Sequence, residues 1–239
     1  MDRTLICLGG GEIKTKETLA IDETIARLAK EHAGDKRARG LFIGTASGDF
    51  MPYFNSFRKT YTSVFDIKAD CLLTVYQTTE KDRMKEKFDL CDFIYVGGGD
   101  TVFMIDKWKK DGVLDLIKEA YARGVILCGL SAGAICWFEN MYTDSAIVKS
   151  DKDYSFFKGL GVLKGTCSPH YNMRVGDLHP SMIENGIKEC YAIEDKAALV
   201  FKNETLKGAL SCGGNAYVLR KNVDTVERYL IENINGEKI

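Results

Sequence analysis

The chain has 239 residues, of which 45% are hydrophobic, enough to bury one sizeable core. Its 33 basic and 34 acidic side chains leave a formal net charge of -1, so no long-range field draws in nucleic acid or an anionic membrane. The start of the chain carries only a short apolar stretch before Gly9, and no window holds about 18 uninterrupted apolar residues, which argues against export or membrane insertion and for a cytoplasmic protein.

In chain order, four short apolar runs end in glycine or small polar residues: Leu5 to Leu8, Gly40 to Thr45, Phe93 to Val96 and Val125 to Cys128. They read as buried parallel strands. Between them lie stretches of helical period, Lys16 to His32, Phe54 to Val64, Glu80 to Phe88, and Val102 through Ala122 with a break near Gly112. This alternation predicts an α/β fold with a doubly wound, mostly parallel sheet flanked by helices, its functional edge at the carboxyl ends of the strands. After about residue 160 the pattern turns to short β-rich pieces at Gly161 to Thr166, Ala197 to Lys202, Leu206 to Ser211 and Ala216 to Leu219, read as hairpins or edge strands of the same domain. Without a linker, repeat or low-complexity tract, residues 1–239 are expected to form one domain.

Eight scattered cysteines without a C-x-x-C pair read as buried free thiols of a reducing compartment. Three histidines and no H-E-x-x-H leave nothing to build a zinc site, so neither a metal nor a cofactor is expected.

The sharpest signal is Gly129-Leu130-Ser131-Ala132-Gly133-Ala134, a G-x-S-x-G pattern after a strand and before an apolar helix. A serine on such a turn projects its hydroxyl above the sheet edge, and the backbone N-H of Ala132 points where an oxyanion would form. The plain alternative is a helix N-cap in a binding protein without chemistry. A second cluster, Gly97-Gly98-Gly99-Asp100-Thr101, also closes a strand and opens a helix, which offers Gly98 and Gly99 as the other half of an oxyanion hole. Neither it nor Gly9-Gly10-Gly11 has the spacing of a P-loop or of G-x-G-x-x-G.

A serine hydroxyl needs a base. His170 stands at a strand exit in Cys167-Ser168-Pro169-His170-Tyr171 and suits that role. His32 lies near the end of the first helix, and His179, before Pro180, reads as capping or preceding a helix. An acid must orient the imidazole, and Asp195, Glu194 and Asp144 are not separated by spacing.

At Gly97 to Thr101, Gly129 to Ala134 and Ser168-Pro169-His170-Tyr171 the chain resembles the peptidase E (alpha-aspartyl dipeptidase) family and the related cyanophycinases. These look like class I glutamine amidotransferase domains, flavodoxin-like in fold, with serine in place of cysteine; the extra β-rich C-terminal part would accompany that core. The resemblance covers most of the chain and implies Ser131 as nucleophile, His170 as base, and an acid within Ala192 to Leu199, where alignment of the trailing Ala-Leu favours Asp195. Aspartyl dipeptidases typically carry asparagine after the glycine cluster, where this chain has Asp100. A carboxylate there would repel an acidic substrate side chain and favour a cationic group, which makes Asp100 a candidate substrate-binding residue.

The expected activity is therefore hydrolysis of small peptides by acyl transfer, with a small peptide as partner and homodimerisation left open. The rivals are a cyanophycinase-like or other small amide or ester hydrolase and a catalytically silent sensor on the same scaffold. An esterase of the α/β-hydrolase type shares G-x-S-x-G, but its H-G-G-G motif is missing and His170 lies close to Ser131 in sequence.

Overall fold

Strands buried on both faces need apolar residues at every position, and this requirement fixes the centre of the molecule. The computed structural model describes residues 2–77, 79–145 and 154–237. The first half alternates β1 (Thr4–Leu8), α1 (Leu19–Ala33), β2 (Arg39–Ile43), α2 (Met51–Ser63), β3 (Lys68–Leu72), α3 (Lys81–Leu90), β4 (Phe93–Val96), α4 (Thr101–Asp111), α5 (Val113–Ala122) and β5 (Ile126–Leu130). The helical pair breaks at Gly112, whose φ of 76° is left-handed and favours glycine. Beyond come α6 (Ala132–Ile135), β6 (Phe138–Thr143), β7 (Ser155–Lys158), β8 (Leu163–Ser168), α7 (Tyr171–Glu184), β9 (Glu189–Ile193), β10 (Ala197–Lys202), β11 (Thr205–Ser211), β12 (Ala216–Lys221) and β13 (Val226–Leu230).

The strands form two sheets. Seven pair in the order β11-β10-β1-β5-β4-β2-β3, with β1, β5, β4, β2 and β3 parallel and the β10–β11 hairpin added antiparallel beside β1. Six more pair as β13-β12-β9-β8-β6-β7, with only β6, β8 and β9 parallel. Alternate residues of β1 divide the packing. Ile6 and Leu8 face α1 and α2 together with Phe42, Phe57, Tyr61 and Tyr95. Leu5 and Cys7 face the opposite core, where Trp108 of α4 meets Trp137 and Phe138 under the second sheet. A third, smaller core seats α7 on the outer face of that sheet through Leu178 and Met182 against Cys190 and Leu219. This is the mixed α/β arrangement that the alternation of elements implied, flavodoxin-like as the resemblance implied.

The C-terminal half differs from the expectation of hairpins and edge strands. β10–β11 and β12–β13 are such hairpins, but β8 is interior to a second sheet and pairs in parallel on both sides. Strands β3, β6, β7, β9 and β13 carry too many polar residues to stand out in the sequence, because they are edges or half-covered; four of the five residues of β13 are exposed. The helix expected after Ser131 is a single turn, since Trp137 and Phe138 are drawn into the core as the chain enters β6. His179 neither caps nor precedes a helix. It lies inside α7 with Pro180, where Leu178 and Met182 hold the helix against the sheet past the proline that reads locally as a boundary.

Candidate active site

The carboxyl ends of β1, β5, β8 and β9 converge, so the residues just after each strand meet. Ser131 follows β5, and its backbone N-H donates to the Leu8 carbonyl at 2.9 Å, which ties the turn to the end of β1. Its φ of 53° and ψ of -108° lie where L-residues are strained, as the tight strand-to-helix turn demands. Room for that turn comes from Gly133, where a Cβ would stand 2.2 Å from the carbonyl oxygen of Val96.

His170 follows β8 in a left-handed conformation, φ 51° and ψ 39°, with its N-H on the Gly9 carbonyl at 3.1 Å. The ring bridges two groups: Nε2 is 2.8 Å from Ser131 Oγ, and Nδ1 is 2.6 Å from Asp195 Oδ1. An ionised carboxylate only accepts, so Nδ1 carries the proton and Nε2 presents its lone pair to the serine hydroxyl. Asp195 is held in turn by Asn172, which donates from Nδ2 to Oδ2 and accepts from the Asp195 backbone N-H, both at 3.1 Å. Such an arrangement can move a proton off Ser131 while keeping the imidazole in one tautomer.

The Gly9–Gly11 turn after β1 runs beneath this bridge. At Gly10 a Cβ would stand 1.8 Å from Asp195 Oδ1 and 2.5 Å from His170 Nδ1, so the His170–Asp195 contact exists only because the residue has no side chain.

The remaining candidates sit as follows. Gly98 lies against Ser131, its Cβ position 3.4 Å from Ser131 Cβ, and its N-H donates to the Tyr53 hydroxyl at a long 3.4 Å. Gly99 adopts φ 137° against the Ala46 carbonyl, and Ala132 opens the turn after Ser131. Glu194 has its carboxylate on Asn215, accepting from Asn215 N and Nδ2 at 2.8 and 3.3 Å. Asp144 lies 3.9 Å from Arg174. Asp100 caps α4 by accepting from Phe103 N at 3.0 Å, and it lines neither of the pockets that flank the site. His32 contacts Asp92 at 2.9 Å, far from Ser131 in the fold. His179 contacts the Tyr171 hydroxyl at 2.9 Å, and burial together with Arg228 lowers its pKa below the ordinary histidine value.

Gly10, Asn172 and Tyr53 were not legible as site residues in the sequence. A triple glycine at a strand's carboxyl end was the available signal for the first; Asn172, two residues past His170, and Tyr53, on a distant helix, carry none.

Two pockets flank the site and share Gly11 and Glu12. One of about 520 Å³ lies on the side of Gly98 and Leu130, and the other, of about 590 Å³, on the side of His170 and Asp195. A larger groove of about 900 Å³ beside α1 and Phe65 is remote from Ser131 and holds none of this chemistry. Among the described residues, no group of three or more His, Cys, Asp or Glu is placed to hold a metal ion, and no helix is long and apolar enough to cross a membrane. All eight cysteines are free thiols, six of them buried.

An α/β scaffold that gathers serine, histidine and carboxylate at the carboxyl edge of its sheet is of the hydrolase type. Residues 5–208 match the model of Peptidase family S51, and the chain belongs to that family. It is accordingly a serine peptidase. It is 33% identical over 224 residues to the uncharacterized peptidase YgaJ of Bacillus subtilis, covering 90% of this chain and 91% of that one. It is 26% identical over 161 residues to the uncharacterized peptidase Lmo0363 of Listeria monocytogenes, covering 56% of this chain and 78% of that one. The fold matches the crystal structure of a peptidase from an acI-B1 Actinobacterium, with a TM-score of 0.71 at 19% identity over 96% of this chain and 94% of that one. It also matches a candidate peptidase E of Listeria monocytogenes EGD-e, with a TM-score of 0.60 at 19% identity over 93% of this chain and all of that one.

Proposed function

We propose that the protein hydrolyses small peptides, dipeptides among them, through a Ser131–His170–Asp195 triad and an acyl-enzyme. The observation that carries this reading is the double contact of His170, to Ser131 Oγ at 2.8 Å and Asp195 Oδ1 at 2.6 Å. Ser131 Oγ attacks the peptide carbonyl as its proton passes to His170 Nε2, and Asp195 stabilises the imidazolium. The backbone N-H groups of Ala132 and of Gly98 or Gly99 stabilise the oxyanion, the Gly98 N-H exchanging its long bond to the Tyr53 hydroxyl for one to the oxyanion. The C–N bond then breaks, and the leaving amine takes the proton from Nε2. Water repeats the sequence: His170 takes its proton, the hydroxide adds to the acyl carbon, and Ser131 leaves with the proton. Pockets of this size at a sheet edge suit a short peptide better than a folded protein.

The test is hydrolysis of Asp-X, Arg-X, Lys-X and neutral dipeptides by the wild type and by Ser131→Ala, with fluorophosphonate labelling in parallel. Cleavage of one class, with a loss of about a thousandfold or more in Ser131→Ala, is the expected result. No cleavage together with an unlabelled Ser131 refutes the proposal.

A further inference from the structure

One hydrogen-bond donor close to Ser131 is left unspent. Tyr53 stands in the first turn of α2, and its ring is seated by two neighbours: a Cβ at Gly97 would stand 2.9 Å from Tyr53 Cε1, and the Phe42 ring meets it edge-on with centroids 5.0 Å apart. That seating delivers the phenol oxygen to the Gly98 N-H, 3.4 Å away. Tyr53, Gly98 and Leu130 line one pocket, and the Cβ position of Gly98 is 3.4 Å from Ser131 Cβ.

A phenol can both donate and accept. Here it only accepts: its hydrogen bond among the described residues comes from Gly98, and its own proton has no acceptor among them. The bond it accepts is stretched, since N-H to O contacts ordinarily run from about 2.7 to 3.2 Å. A tyrosine packed this closely ordinarily gives its proton to a partner, and ring packing alone would be served as well by phenylalanine. A free donor beside a weakly held N-H is accounted for by an acceptor that arrives with the substrate.

The reaction creates such an acceptor. As Ser131 Oγ adds to the peptide carbonyl, charge gathers on the carbonyl oxygen, and the Gly98 N-H leaves the phenol for it. The Tyr53 oxygen, which met the same N-H, then neighbours the oxyanion with its proton unengaged, and rotation of the O-H with a small shift of the ring aims it there. Burial above all, with the carboxylates of Glu12 and Asp22, pushes the Tyr53 phenol well above the ordinary tyrosine value, so the group is un-ionised at neutral pH and is a donor rather than a second negative charge. It keeps its proton throughout the cycle, and the proton transfers through His170 are unchanged.

We propose that Tyr53 is a further catalytic residue, whose hydroxyl donates to the oxyanion as a third donor beside the backbone N-H groups of Ala132 and of Gly98 or Gly99. The proposal rests on the acyl-transfer reading given above.

The experiment compares the wild type with Tyr53→Phe. It measures kcat and KM on whichever dipeptide of the Asp-X, Arg-X, Lys-X and neutral panel the wild type cleaves fastest, and the second-order rate of fluorophosphonate labelling. The phosphoryl oxygen of that reagent takes the same donors while the P–F bond gives way to a bond between phosphorus and Ser131 Oγ. The charge develops only in the transition state, so kcat should fall about 10²-fold with KM within about threefold, and labelling should slow by about tenfold or more, while the thermal melt stays close to that of the wild type. 3-Fluorotyrosine in place of Tyr53 retains both ring and donor and should recover about tenfold or more of the lost kcat. A Tyr53→Phe enzyme whose kcat and labelling stay within about threefold of the wild type, or in which KM alone rises, overturns the proposal. So does a faster enzyme, which would make the phenol a plug in the oxyanion hole, and so does a fluorotyrosine enzyme as slow as Tyr53→Phe, which would assign the loss to packing. Each of these outcomes leaves the Ser131 mechanism standing. If the wild type itself neither labels nor cleaves any dipeptide, the mechanism fails and the proposal fails with it.

Discussion

Gly10→Ala tests the site through a residue that does no chemistry. The added methyl would stand 1.8 Å from Asp195 Oδ1, whereas ordinary contact begins near 3.4 Å, so the carboxylate or the turn must retreat by about 1.6 Å. The 2.6 Å bond between Asp195 and His170 Nδ1 does not survive a displacement of that size. A misplacement of about 1 Å costs a catalytic array on the order of 10²-fold, and disabling the orienting acid outright costs about 10⁴-fold. Gly10→Ala is therefore expected to slow fluorophosphonate labelling of Ser131 by about 10² to 10⁴. The second-order labelling rate needs no known substrate, and far-UV circular dichroism with a thermal melt reports whether the fold is kept. A folded Gly10→Ala protein that labels within about tenfold of the wild type would refute the reasoning, because the pair would then be dispensable for activating the serine.

Asp195→Asn should cost about 10⁴-fold in labelling rate, because an amide NH₂ facing Nδ1 leaves the imidazole in the tautomer that cannot accept from Ser131; Glu194→Gln, one residue away, should stay within about tenfold. The reverse order would move the acid to Glu194. Ser131→Gly and Ser131→Ala both remove the hydroxyl, but only glycine relaxes the backbone at φ 53°, so urea denaturation should find the glycine variant more stable by about 1 kcal/mol. Equal midpoints would mean that the turn is unstrained. Asp22 is fully buried between the Thr18 and Tyr61 hydroxyls, and burial raises its pKa from 3.8 to about 6. The folded state thus holds a proton that the unfolded state releases, and this group's contribution to stability falls as pH rises through that interval, by on the order of 3 kcal/mol. Denaturation midpoints measured from pH 4 to 7 should decline less in Asp22→Asn than in the wild type; parallel slopes would assign the pH dependence to other groups.

How much of this was legible beforehand follows from where each constraint resides. Val125 to Cys128 announced a buried strand because parallel strands need apolar residues at every position, and Gly112 marked the break between α4 and α5 because only glycine enters that turn cheaply. Ser131 was legible because the turn that exposes it demands small neighbours in fixed register along the chain. His170 was legible as a strand exit. What spacing left open was whatever depends on two distant segments meeting: Asp195 rather than Glu194 against His170, which only the family resemblance favoured, Asn172 bracketing Asp195, with no signal at all, and Gly10 passing beneath both. Asp100 shows the converse, since its position beside the glycine cluster suggested a cleft carboxylate, whereas locally it caps α4.

The sequence by itself determined the alternation of strand and helix, the strained turn at Ser131 and the separation of apolar faces, because propensity, periodicity and turn chemistry act between near neighbours. Only the tertiary structure decided which carboxylate faces the imidazole and which side chains wall the pocket beside Leu130. Those choices are made by strands β1, β5, β8 and β9 from two sheets converging at one edge, and no local interaction encodes that convergence.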